Sequence, residues 1–274
     1  MDDATKPITN VGRSTWQYFG QHAVFTGVVI AVAIACVLGG IVAHLPALAA
    51  LSLFILVIGY GIAQSRVQNA FMRQFAAANG YSFSPDASMD GMNGAFFRVG
   101  YGQRRYDLVG GSYQGHPIEL FLYQYTIGEG KRAETYVYTV FRLRFDTAMP
   151  DLVLEQKKYG VGYSILKTAA SQKEFISLEG DFNKYFTLSV PKGYETEALE
   201  VFTPEVMGEL IDKCKDLNLE IVGTDLFIYA HGAVGKEATL LDLYGIAHYF
   251  AEQLGPVLAR MKPGLIAQQE IGQG

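Results

Sequence analysis

The chain has 274 residues, half of them hydrophobic, and a formal net charge of −5. Its mean hydropathy is positive, so part of it is built to meet lipid rather than water. The modestly acidic balance excludes a general electrostatic pull on nucleic acid or on anionic lipid, and two cysteines as far apart as Cys36 and Cys214 make neither a disulfide framework nor a zinc site.

Charge is nearly absent from the first 65 residues, where only Asp2, Asp3, Lys6 and Arg13 carry it. After a short tail, 1–22, the run "AVFTGVVIAVAIACVLGGIVA" from Ala23 to Ala43 is uncharged and spans roughly 30 Å as a helix, the thickness of a bilayer core. It is too long for the apolar region of a signal peptide, and a second uncharged run, Ala47–Ala63, follows at once. These runs predict a transmembrane helical hairpin over 23–65, closed by "HLP". Gly27, Ala31, Ala35, Gly39 and Ala43 recur every four residues on the first helix. Such a smooth stripe suits packing of the second helix, or the seam of a homo-oligomer. Lys6 and Arg13 precede the first span, Arg66 and Arg73 follow the second, and the loop holds only His44. That distribution predicts both termini, and whatever follows, on the cytoplasmic side of the cell membrane.

"SRVQNAFMRQFAAANGYSF" continues the second span as a stalk helix, with Val67, Phe71, Phe75 and Ala78 on one face and Asn79-Gly80 as its stop. A soluble domain is expected over 66–262, with a subdivision near 170–180 and a flexible tail at 263–274. Between Arg104 and Asp146 the chain is dense in Tyr, Phe, Val and Thr, with turn signals at "YQGHP" and "IGEGKRA". Three antiparallel strands follow from this, with "FFRVG" before and "LVLEQ" after as two more. In the third strand both faces carry bulk, so the sheet is expected to be covered on both sides. "YFTLSVP" and "EALEVF" read as strands. Thr203 caps a helix that opens with Pro204 and buries Val206, Met207, Leu210, Ile211 and Cys214. A hairpin turning at Gly223–Asp225 and a long amphipathic helix carrying Leu240, Leu243, Ala247, Phe250 and Leu254 complete the chain. The fold class is α+β: the membrane hairpin, then a mainly antiparallel sheet with flanking helices.

Catalytic signatures do not assemble. "GEGKR" and "AVGKEA" lack the first glycine and the hydroxyl residue of a phosphate-binding loop. His248 and Glu252 lie four apart on a helix without a third ligand, so no metal and no cofactor is predicted. His116 falls in a hairpin turn, whereas His231 ends a strand at the domain rim. Asp181 and Lys184, on a polar turn, join His231 as candidate ligand-binding residues, with the structural role of such residues the commoner one.

"LEGDFNKYFTLSVPKGYETEALEVFTPEVMGELID", together with "GSYQGHPIELFLYQYTIGEGKRAETYVYTVFRL", resembles a family of small uncharacterised bacterial membrane proteins. The resemblance covers roughly residues 66 to 230. It implies two N-terminal spans, a soluble domain of unknown function and a bacterial origin, and it carries no catalytic residue. The expected function is a membrane-anchored cytosolic binding or scaffold module, with the lipid bilayer and a protein at the inner face as partners. The alternative is a hydrolase or transferase acting on a membrane-linked substrate through a site assembled from distant residues.

Overall fold

A helix, α1 (Ala23–Val42), packs beside a longer one, α2 (Pro46–Ala78). The structure is a computed structural model that describes residues 22–42, 46–146, 148, 151–157, 173–178, 180–193, 195–196, 199, 202–214, 216–233 and 237–254. Of its helices, the stretch Ala50–Ala78 is long and apolar enough to cross a membrane; the apolar stretch of α1, Val24–Gly39, is shorter. The seam between them is not the predicted stripe. Gly27, Ala31 and Ala35 are exposed and Gly39 is only half-buried, while Ala33 is buried and Val29 half-buried. Val29 lies against Gly59, and a Cβ there would come within 2.8 Å of the valine side chain. The close approach thus involves a glycine of α2 against Val29, and not the Gly27–Ala31–Ala35 stripe of α1.

α2 has two characters in one rod. Leu53, Phe54, Val57 and Ile58 are exposed, whereas Phe71, Met72, Phe75 and Ala76 are buried against the sheet. It ends at Gly80, which takes φ +70° while the Tyr81 N–H donates to the Ala76 carbonyl at 2.8 Å, a glycine-terminated stop.

Among the described residues nine antiparallel strands follow: β1 (Ser82–Ala87), β2 (Tyr101–Tyr113), β3 (His116–Ile127), β4 (Glu134–Arg144), β5 (Leu152–Gln156), β6 (Lys173–Ile176), β7 (Phe186–Pro191), β8 (Leu217–Val222) and β9 (Asp225–His231). They form one sheet in the order β1-β2-β3-β4-β9-β8-β5-β7-β6. Helix α3 (Phe182–Tyr185) is a single turn, and α4 (Pro204–Cys214) and α5 (Glu237–Tyr249) are longer. The segment "FFRVG" is not a strand: Ala95–Arg98 form a 3-10 turn that buries both phenylalanines. In "EALEVF", Leu199 is helical and Phe202 lies in a bend, neither in a strand, and the other residues of the expected second strand lie outside the described residues.

Alternation divides the sheet into two covered faces. Ile118, Leu120, Phe141, Leu143, Leu226 and Ile228 face the end of α2, α4 and α5. Phe121, Tyr123, Tyr125, Tyr138, Phe227 and Tyr229 face the other way, under Phe96 and Phe97 of the 3-10 turn. The Thr203 cap is present, with the Val206 N–H donating to Oγ1 at 3.4 Å.

Contacts fix how α2 runs along the sheet. Asn69 donates to the Asp107 carboxylate at 2.6 Å. Arg73 lies over the ring of Phe83, whose strand partner is Val109. Phe75 meets Tyr81, which packs on Gly111. Climbing α2 from 69 to 75 therefore climbs β2 from 107 to 111, and the opposite end of β2, at Tyr101, points back toward the apolar half of α2.

Candidate functional site

The described residues enclose a cavity of about 580 Å³ where α4 and α5 meet the ends of β8 and β9. Leu217, Ala230, Leu241 and Ile246 give it an apolar floor; Asp212, Asp216 and Asp242 supply a polar rim, and His231 lines it at the end of β9 with its ring turned to Tyr138 of the other face. Each element delivers its residues for a local reason. Asp212 lies on the exposed side of α4, whose opposite side buries Leu210 and Cys214; Asp242 is likewise the exposed neighbour of buried Leu243 on α5. Partial desolvation raises the Asp242 carboxyl above its ordinary range. Lys213 also lines the cavity, but its ammonium pairs with Glu209 and lies 5.2 Å from the centre of the Tyr249 ring. Among the described residues the rim presents the exposed carboxylates of Asp212 and Asp242, while Asp216 is engaged by another group; those two carboxylates suit a cationic group carried on an apolar body.

Strand register locates this cavity. Ala230 is paired with Thr139, Thr139 with Leu122, and Leu122 with Tyr106. The cavity therefore lies level with Tyr106, near the middle of β2.

Of the predicted residues, His231 is on the cavity rim, edge-on to Tyr138 with ring centroids 5.3 Å apart. Asp181 and Lys184 are elsewhere: they pair with each other at 2.6 Å on the exposed one-turn helix α3. Their neighbour Asn183 has the structural task, accepting from the Leu178 N–H at 3.2 Å and donating to Ser177 Oγ at 3.0 Å. His248 and Glu252 are engaged with a third side chain. The ring and the carboxylate are 3.3 Å apart, and Gln114 reaches both, at 2.9 and 3.2 Å, clasping the β2–β3 turn to the end of α5. No group of three metal-binding side chains occurs among the described residues. His116 opens β3 half-buried, with its ring against Phe145, rather than lying in an open turn.

The opposite face of the sheet holds buried charge that the sequence did not announce. Arg105 and Glu119 are 2.8 Å apart, Glu119 and Arg142 3.0 Å, and Arg142 and Asp225 2.6 Å. Glu220, fully buried, accepts from the Ala95 N–H at 2.7 Å, the Phe96 N–H at 3.4 Å and the Tyr229 hydroxyl at 2.9 Å. Arg105 donates to the Ser88 carbonyl at 3.3 Å. Together these groups pin residues 88–97 over the aromatic face. Burial raises the phenols of Tyr123, Tyr138 and Tyr229, and pushes Tyr125 up to about 12; the Cys214 thiol is likewise pushed up to about 12. These strongly perturbed groups sit in packed interior and not on the cavity rim, so they read as consequences of packing rather than as poised acids and bases.

No family model matches the chain, and no curated protein matches it. Among solved structures, it is similar to the crystal structure of the mycobacterial trehalose monomycolate transport factor A, TtfA. The TM-score is 0.50 at 10% sequence identity, over 66% of this chain and 92% of that chain. At that identity the likeness is one of fold.

Proposed function

We propose that the protein is a membrane-anchored binding module. α2 is the anchor, α1 is a second span, both termini and the sheet lie on the cytoplasmic side, and the acidic-rimmed cavity receives a partner near the inner face. The observation that carries this reading is the single helix Pro46–Ala78. Its first half exposes apolar side chains and its last two turns bury one face, Phe71, Met72, Phe75 and Ala76, against the sheet. A helix that is apolar outward at one end and core at the other joins a bilayer to a folded domain without a flexible linker. The fold shared with a factor named for transport of a mycolate ester supports a role beside lipid, and the basic residues flanking the apolar runs support the orientation.

Thiol labelling of intact cells tests the arrangement. In a Cys36→Ala chain, a cysteine replacing Leu45 is expected to react with an impermeant maleimide, and one replacing Arg66 to react only after lysis. Labelling of the Arg66 position in intact cells would reverse the orientation, and loss of the chain from alkaline-washed membranes would end the anchoring.

A further inference from the structure

We infer that the tip of the β3–β4 hairpin, with Tyr101 beside it, rests on the phospholipid headgroups next to α2; this rests on the reading of α2 as the membrane anchor. The geometry comes from the register of helix against strand. Between the Asn69–Asp107 and Phe75–Tyr81–Gly111 contacts, α2 advances six residues, about 9 Å, while β2 advances four, about 13 Å. The strand thus crosses the helix axis at roughly 45°. Followed back from Asp107 to Tyr101, β2 is shortened by a bulge, because Tyr101 and Tyr106 pair with Thr126 and Leu122, only four residues apart on β3; it runs about 16 Å, of which about 11 Å projects along α2. That distance is about seven to eight helical residues. It brings the end of β2 to the level of Tyr60–Gln64, where the uncharged run of α2 gives way to Gln64, Ser65 and Arg66. Tyr101 pairs with Thr126, so the hairpin tip reaches at least as far.

What stands at that level has the chemistry of an interfacial rim. Lys131, Arg132 and Arg98 are exposed, and Tyr101 is 52% exposed with its hydroxyl donating to the Gly128 carbonyl at 3.1 Å. Amphipathic aromatic rings and long cationic side chains are the groups that settle at headgroup depth. Glu129 and Glu134 share the tip, and the Glu134 carboxylate accepts from the Tyr136 hydroxyl. The backbone of the tip closes on itself: a Cβ at Gly128, where φ is +83°, would come within 2.4 Å of the Arg132 carbonyl oxygen. The cations are therefore presented on a stiff turn, and phosphate oxygens are the partner they fit.

The full-length chain, with Cys36→Ala, is reconstituted into mixed phosphatidylcholine–phosphatidylglycerol vesicles. A bimane label is placed either at Ala133→Cys on the tip or at Ser112→Cys, exposed at the opposite end of β2, and read against a headgroup-level nitroxide lipid. The tip label is expected to be quenched about threefold more than the Ser112 label, and Lys131→Glu/Arg132→Glu is expected to abolish the difference while the chain still floats with the vesicles. Equal quenching at both positions, or a difference that the charge reversal leaves intact, would overturn the proposal. A chain that does not float with the vesicles would overturn the anchoring itself, and the surface contact with it.

Discussion

Glu220 shows how much one side chain can hold. Its carboxylate satisfies two backbone amides and a phenol inside the sheet, and a Cβ on Gly94 would come within 2.8 Å of it. Truncation strands buried donors, which is costlier than losing a bond exposed to water. Glu220→Ala is expected to cost about 3 kcal/mol in denaturant melts of the full chain in detergent, with the Ala95 and Phe96 amides losing protection from hydrogen exchange. Retained protection would mean that residues 94–97 are held by their aromatic contacts alone. Asp107 carries a pH dependence of definite sign. Burial raises its carboxyl pKa, against the opposing effect of the Asn69 hydrogen bond, so the folded state holds the proton more tightly than the unfolded chain. That contribution is complete below the ordinary carboxylate range and is lost as pH rises through the raised folded value. The stability of the native protein relative to Asp107→Asn should therefore fall as pH is raised from about 4. A gap that is constant with pH would show that Asp107 titrates alike in both states.

At the scale of elements, the run from β7 to α4 is scaffold. Leu188 is 1% exposed, and Leu188→Ala is expected to cost about 2–5 kcal/mol. Thr203→Ala, which removes the cap, should cost about 1 kcal/mol. Asp181→Ala and Lys184→Ala, which disturb only an exposed pair, should leave the melting midpoint in place; a lost cellular phenotype with an unchanged melt would make that pair a working surface instead. Strands such as Tyr136–Leu143 were legible in the sequence because their two-residue alternation is imposed by the pleat itself. The 3-10 turn was not, because the groups that hold "FFR" down come from far along the chain: Glu220 from β8 and Tyr229 from β9. The helix seam was misplaced for a related reason. Small residues on α1 were visible, but which face they occupied depended on Gly59 of α2. His231 was legible at the rim because strand ends are exposed. Asp212, Asp216 and Asp242 were not, since carboxylates on helices read as ordinary solvated residues until a second helix is set beside them.

For the whole molecule, the proposed function turns on the relation between α2 and the cavity. If a cationic partner enters there, Asp212→Lys/Asp242→Lys in the intact protein should abolish capture by a photo-crosslinker placed at Leu241, with the melt unchanged; crosslinks that persist would move the partner elsewhere. If α2 is the anchor proposed above, its uninterrupted passage from an outward-facing apolar half into the core has a further consequence. A rod of this kind transmits angle as well as height. Each residue added between Gln64 and Arg66 turns everything beyond it by about 100° and lifts it by about 1.5 Å. One inserted alanine should therefore swing the sheet away from its bearing on the bilayer, while seven, close to two full turns, should restore the heading and raise the domain about 10 Å. The azimuth of the domain over the membrane is thus encoded as a residue count, and a ladder of alanine insertions would read it as a periodic gain and loss of function.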